Sequence, residues 1–134
     1  MLTLLLRREH DTRPHMFRFH VNLFAAPRTA TFDCTWEEAA ARLEVLPRMI
    51  FEPDGSFVVS GNDEAGQRWQ VDGHLFDFSG RLQRVELHGE CPTIAFDDLL
   101  RCFGWPMQQL EFEMVREGLT LLEREFREAA GRGH

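Results

Sequence analysis

Alternation of hydrophobic and polar residues is the main pattern in this chain, and it is typical of half-buried β-strands. The segment MFRFHVNLF (16–24) shows it most clearly, with apolar residues at every second position and Arg18, His20 and Asn22 between them. A strand of this kind buries one side and leaves the other in water. We therefore expect residues 16–24 to lie in a sheet that has one covered face.

Four further apolar segments, separated by turn residues, predict a meander of antiparallel strands. The segments are 49–51, 57–59, 67–78 and 82–88. Turns are expected at residues 53–55 and 79–80, where glycine can take the backbone conformation that a tight turn needs. A bulge is expected near Asp72-Gly73, because glycine inside a strand often marks one. Residues 2–8 form a short apolar run, and a turn is expected after it at residues 10–14.

Two segments have the period of amphipathic helices. Residues 35–46 begin with Thr35 and Glu38, the spacing of a capping box, in which each side chain satisfies a free N–H of the first turn. Residues 94–104 predict a second helix that ends at Gly104. Its inward residues are expected to be Ile94, Leu99, Cys102 and Phe103.

Residues 107–130 allow two interpretations. The segment QLEFEMV (109–115) alternates as a strand does, whereas one helix over 107–130 would carry apolar residues on about half of its circumference. We prefer a strand, then a turn at Glu117-Gly118, then a final helix. The apolar residues of that helix are expected to be Leu119, Leu122 and Phe126.

These segments together predict an α+β fold. We expect an antiparallel meander sheet of five or six strands, with two or three helices packed on one face. A chain of 134 residues has the length of one domain, so residues 1–134 are assigned to a single domain, with a frayed tail at 131–134.

Composition excludes several classes of function. The formal charge is −7, all fifteen basic residues are arginine, and no basic tract is present, which argues against nucleic acid and anionic membranes as partners. No apolar run approaches the ~20 residues that span a bilayer. Cys34, Cys91 and Cys102 form no CxxC pair, so we expect reduced thiols in a soluble, cytoplasmic protein. Nothing in the sequence indicates a cofactor.

The segment 66–92 raises the question of a metal site, because it concentrates potential ligands. They are Asp72, His74, Asp77, Glu86, His88 and Cys91. A metal site needs three or four such ligands to converge on one point. On its strand, His88 has the parity of Glu86 and is expected to face water, whereas His74 has the parity of Phe76 and Phe78, the apolar side. Because the two histidines would then lie in different environments, we predict no metal site.

Other polar residues have simple structural interpretations. Asp72 and Asp77 lie beside glycines, where aspartate often accepts hydrogen bonds from a turning backbone. His10, His15 and His20 form a loose group near a surface turn, where they are expected to be solvated. A histidine pair without a third ligand would not hold a metal specifically.

Cys34 is the one cysteine with a physical argument for reactivity. It directly precedes the Thr35 cap, and the positive end of a helix dipole there could lower the pKa of its thiol. The chain contains no nucleophile elbow, dinucleotide-binding glycine motif, phosphate-binding loop or zinc-protease motif. Weak candidates for a catalytic site are therefore Cys34, His74 and Asp72.

Trp36 and Trp105 are weak candidates for a binding site, because each lies near the end of an element or in a loop. From all of this we favour a non-catalytic binding or interaction module of the cytoplasm, with a homodimer or another protein as partner. The alternative is a small enzyme or ligand-binding protein. Its site would lie between sheet and helices and would use His74, Asp72 and Cys34.

Overall fold

A computed structural model describes residues 16–132, which form one antiparallel sheet of seven strands. The strands are β1 (Met16–Ala25), β2 (Met49–Phe51), β3 (Ser56–Asn62), β4 (Arg68–Phe78), β5 (Arg81–Pro92), β6 (Leu110–Met114) and β7 (Leu119–Leu122). Their order across the sheet is β2-β3-β4-β5-β1-β6-β7. The predicted α+β class is confirmed, and the strand count of seven is higher than the expected five or six.

Three helices connect or follow these strands: α1 (Trp36–Glu44), α2 (Thr93–Arg101) and α3 (Glu123–Arg132). The predicted capping box of α1 is present. The Thr35 hydroxyl accepts a hydrogen bond from the Glu38 N–H at 3.0 Å, and the Glu38 carboxylate accepts one from the Thr35 N–H at 2.8 Å. No helix in residues 16–132 is long and apolar enough to cross a membrane.

All three helices pack on the same face of the sheet, which we call the covered face. Phe17, Phe19, Val21 and Leu23 of β1 point into this core and are at most 5% exposed. At its centre, the rings of Phe96, Phe112 and Phe126 stack, with 4.5 Å between the centroids of the last two. Within residues 16–132, the core contains no polar or charged residue.

The chain after residue 107 follows the preferred interpretation only in part. The strand and the turn at Glu117-Gly118 are confirmed. The final helix begins later than expected, because residues 119–122 form β7. Leu119 and Leu121 pair there with Met114 and Phe112. Phe126 is buried on α3 as predicted.

Two other details of the core differ from prediction. Ile94 is 71% exposed, because it lies two residues before Phe96 and therefore on the opposite side of α2 from the buried stripe. The expected bulge near Asp72-Gly73 lies between Phe76 and Asp77. Gly73 has a packing role instead, since a Cβ atom there would lie 2.1 Å from the ring of Phe57.

Helix α3 extends to Arg132, so residues 131–132 are helical rather than the start of a frayed tail. The apolar run at residues 2–8 and the turn expected after it, together with His10 and His15, lie outside the described residues.

Candidate binding surface

The face of the sheet opposite the helices is uncovered, and we call it the open face. Its side chains come from positions that alternate with the buried ones, and the strand register aligns them in rows. In these rows Glu86 lies between Asn22 on one side and His74 on the other, and His88 lies between His20 and Asp72. The open face includes Arg18, His20, Asn22, Phe24, Ile50, Val58, Gln70, Asp72, His74, Phe76, Arg84, Glu86, His88, Glu90, Glu111, Glu113 and Leu122.

A hydrogen-bonded row crosses β5, β1 and β6 at the middle of this face. Arg84 Nη1 donates to Asn22 Oδ1 at 2.9 Å, and Asn22 Nδ2 donates to Glu113 Oε1 at 3.0 Å. Arg28 Nη2 donates to the second carboxylate oxygen of Glu113 at 3.1 Å. The bond from Asn22 and the positive charge of Arg28 both favour the ionised carboxylate, so the pKa of Glu113 is lowered.

The three histidines of the described segment all lie on this face. His20 and His88 stack with 4.4 Å between ring centroids, and His20 Nε2 is 2.8 Å from Glu86 Oε2. His74 stacks on Phe76 at 4.4 Å. The expectation that His74 faces the apolar side is wrong, because the inward positions of β4 are those of Val71, Gly73 and Leu75.

Two phenylalanine rings on the open face are covered by arginine. The guanidinium carbon of Arg28 lies 4.0 Å from the ring centroid of Phe24, and that of Arg84 lies 3.7 Å from the centroid of Phe76. Such cation–π contacts hold both partners in place at a partly exposed site. The open face therefore presents ordered aromatic and guanidinium groups.

A groove of about 580 Å³ begins on this face and continues past it to Trp69 and to Ala129 and Ala130 of α3. Its polar walls come from β1, β4, β5 and the turn between β6 and β7. The side chains that line it include those of Arg18, His20, Arg68, Gln70, His88 and Glu90. Arg18 and Glu90 form an ion pair at 3.3 Å within it. The groove is wide and open and carries both signs of charge.

The residues proposed for a catalytic site are not brought together. Cys34 is 5% exposed in the core on the covered face, whereas Asp72 and His74 lie on the open face. The sheet therefore separates the thiol from the other two groups. Burial raises the pKa of Cys34, and this effect outweighs the nearby charge of Arg42. The expectation that the helix end lowers this pKa is contradicted.

The other two thiols are also buried. Burial raises the pKa of Cys91 to about 12 and that of Cys102 to about 11. Cys91 is the penultimate residue of β5. Asp77 accepts a hydrogen bond from the Gly80 N–H at 3.3 Å, the turn role expected of it. Within residues 16–132, no three His, Cys, Asp or Glu side chains are grouped so that they could hold a metal ion.

Trp36 and Trp105 lie in different parts of the fold, and each indole N–H forms a hydrogen bond within the protein. The Trp36 indole N–H donates to the carbonyl of Leu75 at 3.3 Å. The Trp105 N–H donates to Glu123 Oε1 at 2.8 Å, and the guanidinium of Arg127 lies 5.3 Å from its ring. Both side chains are half-buried. The structure does not bring them into one site.

Sequence reasoning identified the polar positions of β1 but missed their partners. The bonds His20–Glu86 and Asn22–Glu113 join residues that are 66 and 91 positions apart. The signal available in the sequence was the shared parity of His20 and Asn22, which places both on the polar side of one strand. Only the pairing of that strand shows which acids they meet.

No family model, curated protein or solved structure matches this chain.

Proposed function

We propose that this protein is a non-catalytic binding module of the cytoplasm that recognises a protein partner through the open face. The observation that carries this proposal is the contrast between the two sides of one sheet. Three helices cover one side, while the other is bare and holds its side chains in ordered cross-strand pairs. Cys34, Cys91 and Cys102 are unpaired, which supports a reducing compartment.

Pre-ordered side chains favour binding, because association then removes less conformational freedom. The Arg84–Asn22–Glu113 row and the stacked His20–His88 pair meet this condition. Arginine and aromatic residues are also enriched in protein interfaces. Seven strands spaced about 4.8 Å apart make a face about 30 Å wide. A face of that width can supply the roughly 800 Å² per partner of a standard interface.

A second copy of this chain is the partner that we propose first. The open face carries arginines and carboxylates side by side, as in the pairs Arg18–Glu90 and Arg28–Glu113. A surface with both charges can match itself after a two-fold rotation. Ile50 and Leu122 extend it towards opposite sheet edges and are 63% and 59% exposed. They would become covered in such a dimer.

Two matched double variants test this proposal. Ile50→Arg with Leu122→Arg places charges at both edges of the open face. Ile94→Arg with Leu119→Arg makes the same chemical changes at residues that are 71% and 53% exposed but lie off that face. We expect light scattering to show a wild-type dimer, a monomeric open-face variant and a control variant that remains dimeric. All four residues are more than half exposed, so both variants should fold.

Equal dimerisation by the two double variants would contradict this use of the open face. A wild-type protein that remains monomeric at the highest attainable concentration would exclude a second copy as the partner. A catalytic site built from Cys34, Asp72 and His74 is not proposed, because the sheet stands between the first of them and the other two.

A further inference from the structure

The three tryptophans differ in one respect that bears on binding. The indole N–H groups of Trp36 and Trp105 donate to acceptors of the protein, whereas that of Trp69 has no acceptor among residues 16–132. The Trp69 side chain is half-buried, but its indole N–H keeps some contact with solvent. A ligand could therefore reach that donor.

Trp69 lines a cavity of about 280 Å³ on the covered face. The cavity lies between the end of β3, helix α2 and the loop that joins α1 to β2. Its apolar wall is formed by Leu46, Val59, Ala95 and Leu99 together with the Trp69 ring. Ligand sites commonly have this composition, a mainly apolar wall with a few polar groups that orient the ligand.

Gly61 leaves room for the indole ring of Trp69 at this wall. A Cβ atom at residue 61 would lie 2.6 Å from the Trp69 ring, so the ring can lie across this position only because glycine has no side chain. Strand β2 pairs only with residues 57–59 of β3, and residues 60–62 are thus a sheet edge without a neighbouring strand in the described chain. Backbone groups of that edge form part of the cavity wall.

The charge at the rim comes from Arg48. Its side chain is exposed and makes no hydrogen bond or ion pair with any residue in 16–132. Asp98, the other charged residue that lines the cavity, is paired with Arg101 at 3.0 Å. The uncompensated charge is therefore positive. A guanidinium in this state is suited to a carboxylate, which it can bind through two parallel hydrogen bonds.

We infer that this cavity binds a small carboxylate that has one aromatic ring or a similarly compact apolar group. The apolar group packs against Trp69 and Leu99, the carboxylate pairs with Arg48, and the indole N–H donates to an oxygen of the ligand. Cavities that hold drug-sized ligands measure roughly 300–1,000 Å³, so a cavity of about 280 Å³ selects a smaller molecule. This site does not depend on the proposed function, because it lies on the covered face and shares only Trp69 with the lining of the groove described above.

Three probes with the same ring separate the contributions to binding. They are phenylacetate, 2-phenylethanol and phenethylamine, which carry a negative, a neutral and a positive group. In a ¹H–¹⁵N spectrum each indole N–H gives its own peak, and Trp69→Phe identifies the one that belongs to Trp69. We expect phenylacetate to shift this peak saturably while those of Trp36 and Trp105 stay in place. Affinity should decrease from phenylacetate to 2-phenylethanol to phenethylamine.

Arg48→Asn tests the carboxylate contact. Asn is suitable because Arg48 has a φ of 60°, a conformation that asparagine tolerates better than most residues. We expect phenylacetate to bind about tenfold more weakly to this variant, the loss of one charge-assisted contact, and 2-phenylethanol to bind as it does to wild type. Arg116→Asn removes another exposed and unpaired arginine and should change neither affinity.

A Trp69 peak that shows no saturable shift with any of the three probes would overturn the inference. So would phenethylamine binding at least as tightly as phenylacetate, or an Arg48→Asn variant with unchanged affinity for phenylacetate. Because the readout is the indole peak and Arg48 lies off the open face, failure here leaves the dimer test unaffected.

Discussion

The two faces of the sheet belong to the same strands but are built by different interactions. On the covered face, Val21, Leu87 and Phe112 have no exposed surface, and the described segment buries no polar residue. On the open face, the neighbouring positions hold Asn22 and Glu113, which form a hydrogen bond between the adjacent strands β1 and β6. Packing is thus continuous on one side, while discrete polar contacts connect the strands on the other.

Because of this difference, we assign fold stability mainly to the covered face and partner recognition to the open face. Fully burying one large apolar side chain contributes about 2–3 kcal/mol, whereas an exposed ion pair contributes about 0–1 kcal/mol. The covered face therefore supplies most of the free energy of folding, and residues on the open face can be replaced at small cost. A surface with that freedom can acquire a binding role, which is why our proposal places the partner there.

The largest expected effect comes from two phenylalanines on adjacent strands. Phe112→Ala removes a ring that stacks on Phe126 in the core, and we expect it to lower the free energy of unfolding by about 3–5 kcal/mol. Phe24→Ala removes a ring that contacts Arg28 on the open face and should cost about 1 kcal/mol. Urea denaturation measures both. Similar losses for the two variants would contradict the division between the faces.

An intermediate effect is expected from Glu113. The pKa of the Glu113 carboxyl is lower in the folded protein than its ordinary value of 4.5. Its contacts therefore stabilise the folded state fully above pH 4.5, and this stabilisation is lost as the pH falls through the lowered pKa. Glu113→Gln should cost about 1 kcal/mol at neutral pH, because the contact with Arg28 loses its charge.

This cost should shrink towards zero in acid, since protonation removes the same charge from the wild-type protein. Urea denaturation from neutral to acidic pH measures the difference between the two proteins. Glu117→Gln is the control, because Glu117 is exposed and has no ion pair with a described residue. A cost that is constant with pH would show that the charge of Glu113 has no role.

The smallest expected effect is that of a thiol reagent on the folded protein. Iodoacetamide reacts with thiolates, and burial on the covered face raises the pKa of Cys34 and of both other thiols. We expect mass spectrometry to find almost no modification at neutral pH and complete modification in urea. Rapid labelling of Cys34 in the folded protein would revive the enzyme hypothesis and contradict the burial argument.

Local patterns were sufficient to predict most of the covered face. The alternation of residues 16–24 identified its inward side chains, and Thr35 with Glu38 identified the start of a helix. Both signals depend on residues a few positions apart, so the chain itself contains the information. The division of residues 107–130 was harder, because four residues of β7 are too few to establish a period.

The candidate surface was less predictable, since it depends on pairing between distant segments. Strand β4 has apolar residues of both parities, such as Leu75 and Phe76, and its sequence alone cannot decide which of them faces inward. The register with β5 decides it and turns His74 outward. The cavity at Trp69 likewise depends on how far β2 extends along β3, a property that no single segment reveals.

The position of β1 has a consequence for the order of assembly. Strands β3, β4 and β5 are joined by short turns, so each can pair with the preceding strand as soon as it leaves the ribosome. Strand β1 is synthesised before both of its neighbours, and Met16 must wait for Pro92 before the two can pair. During synthesis the hydrophobic side of β1 is left without a partner until those strands emerge, and an exposed strand in this state is prone to aggregation.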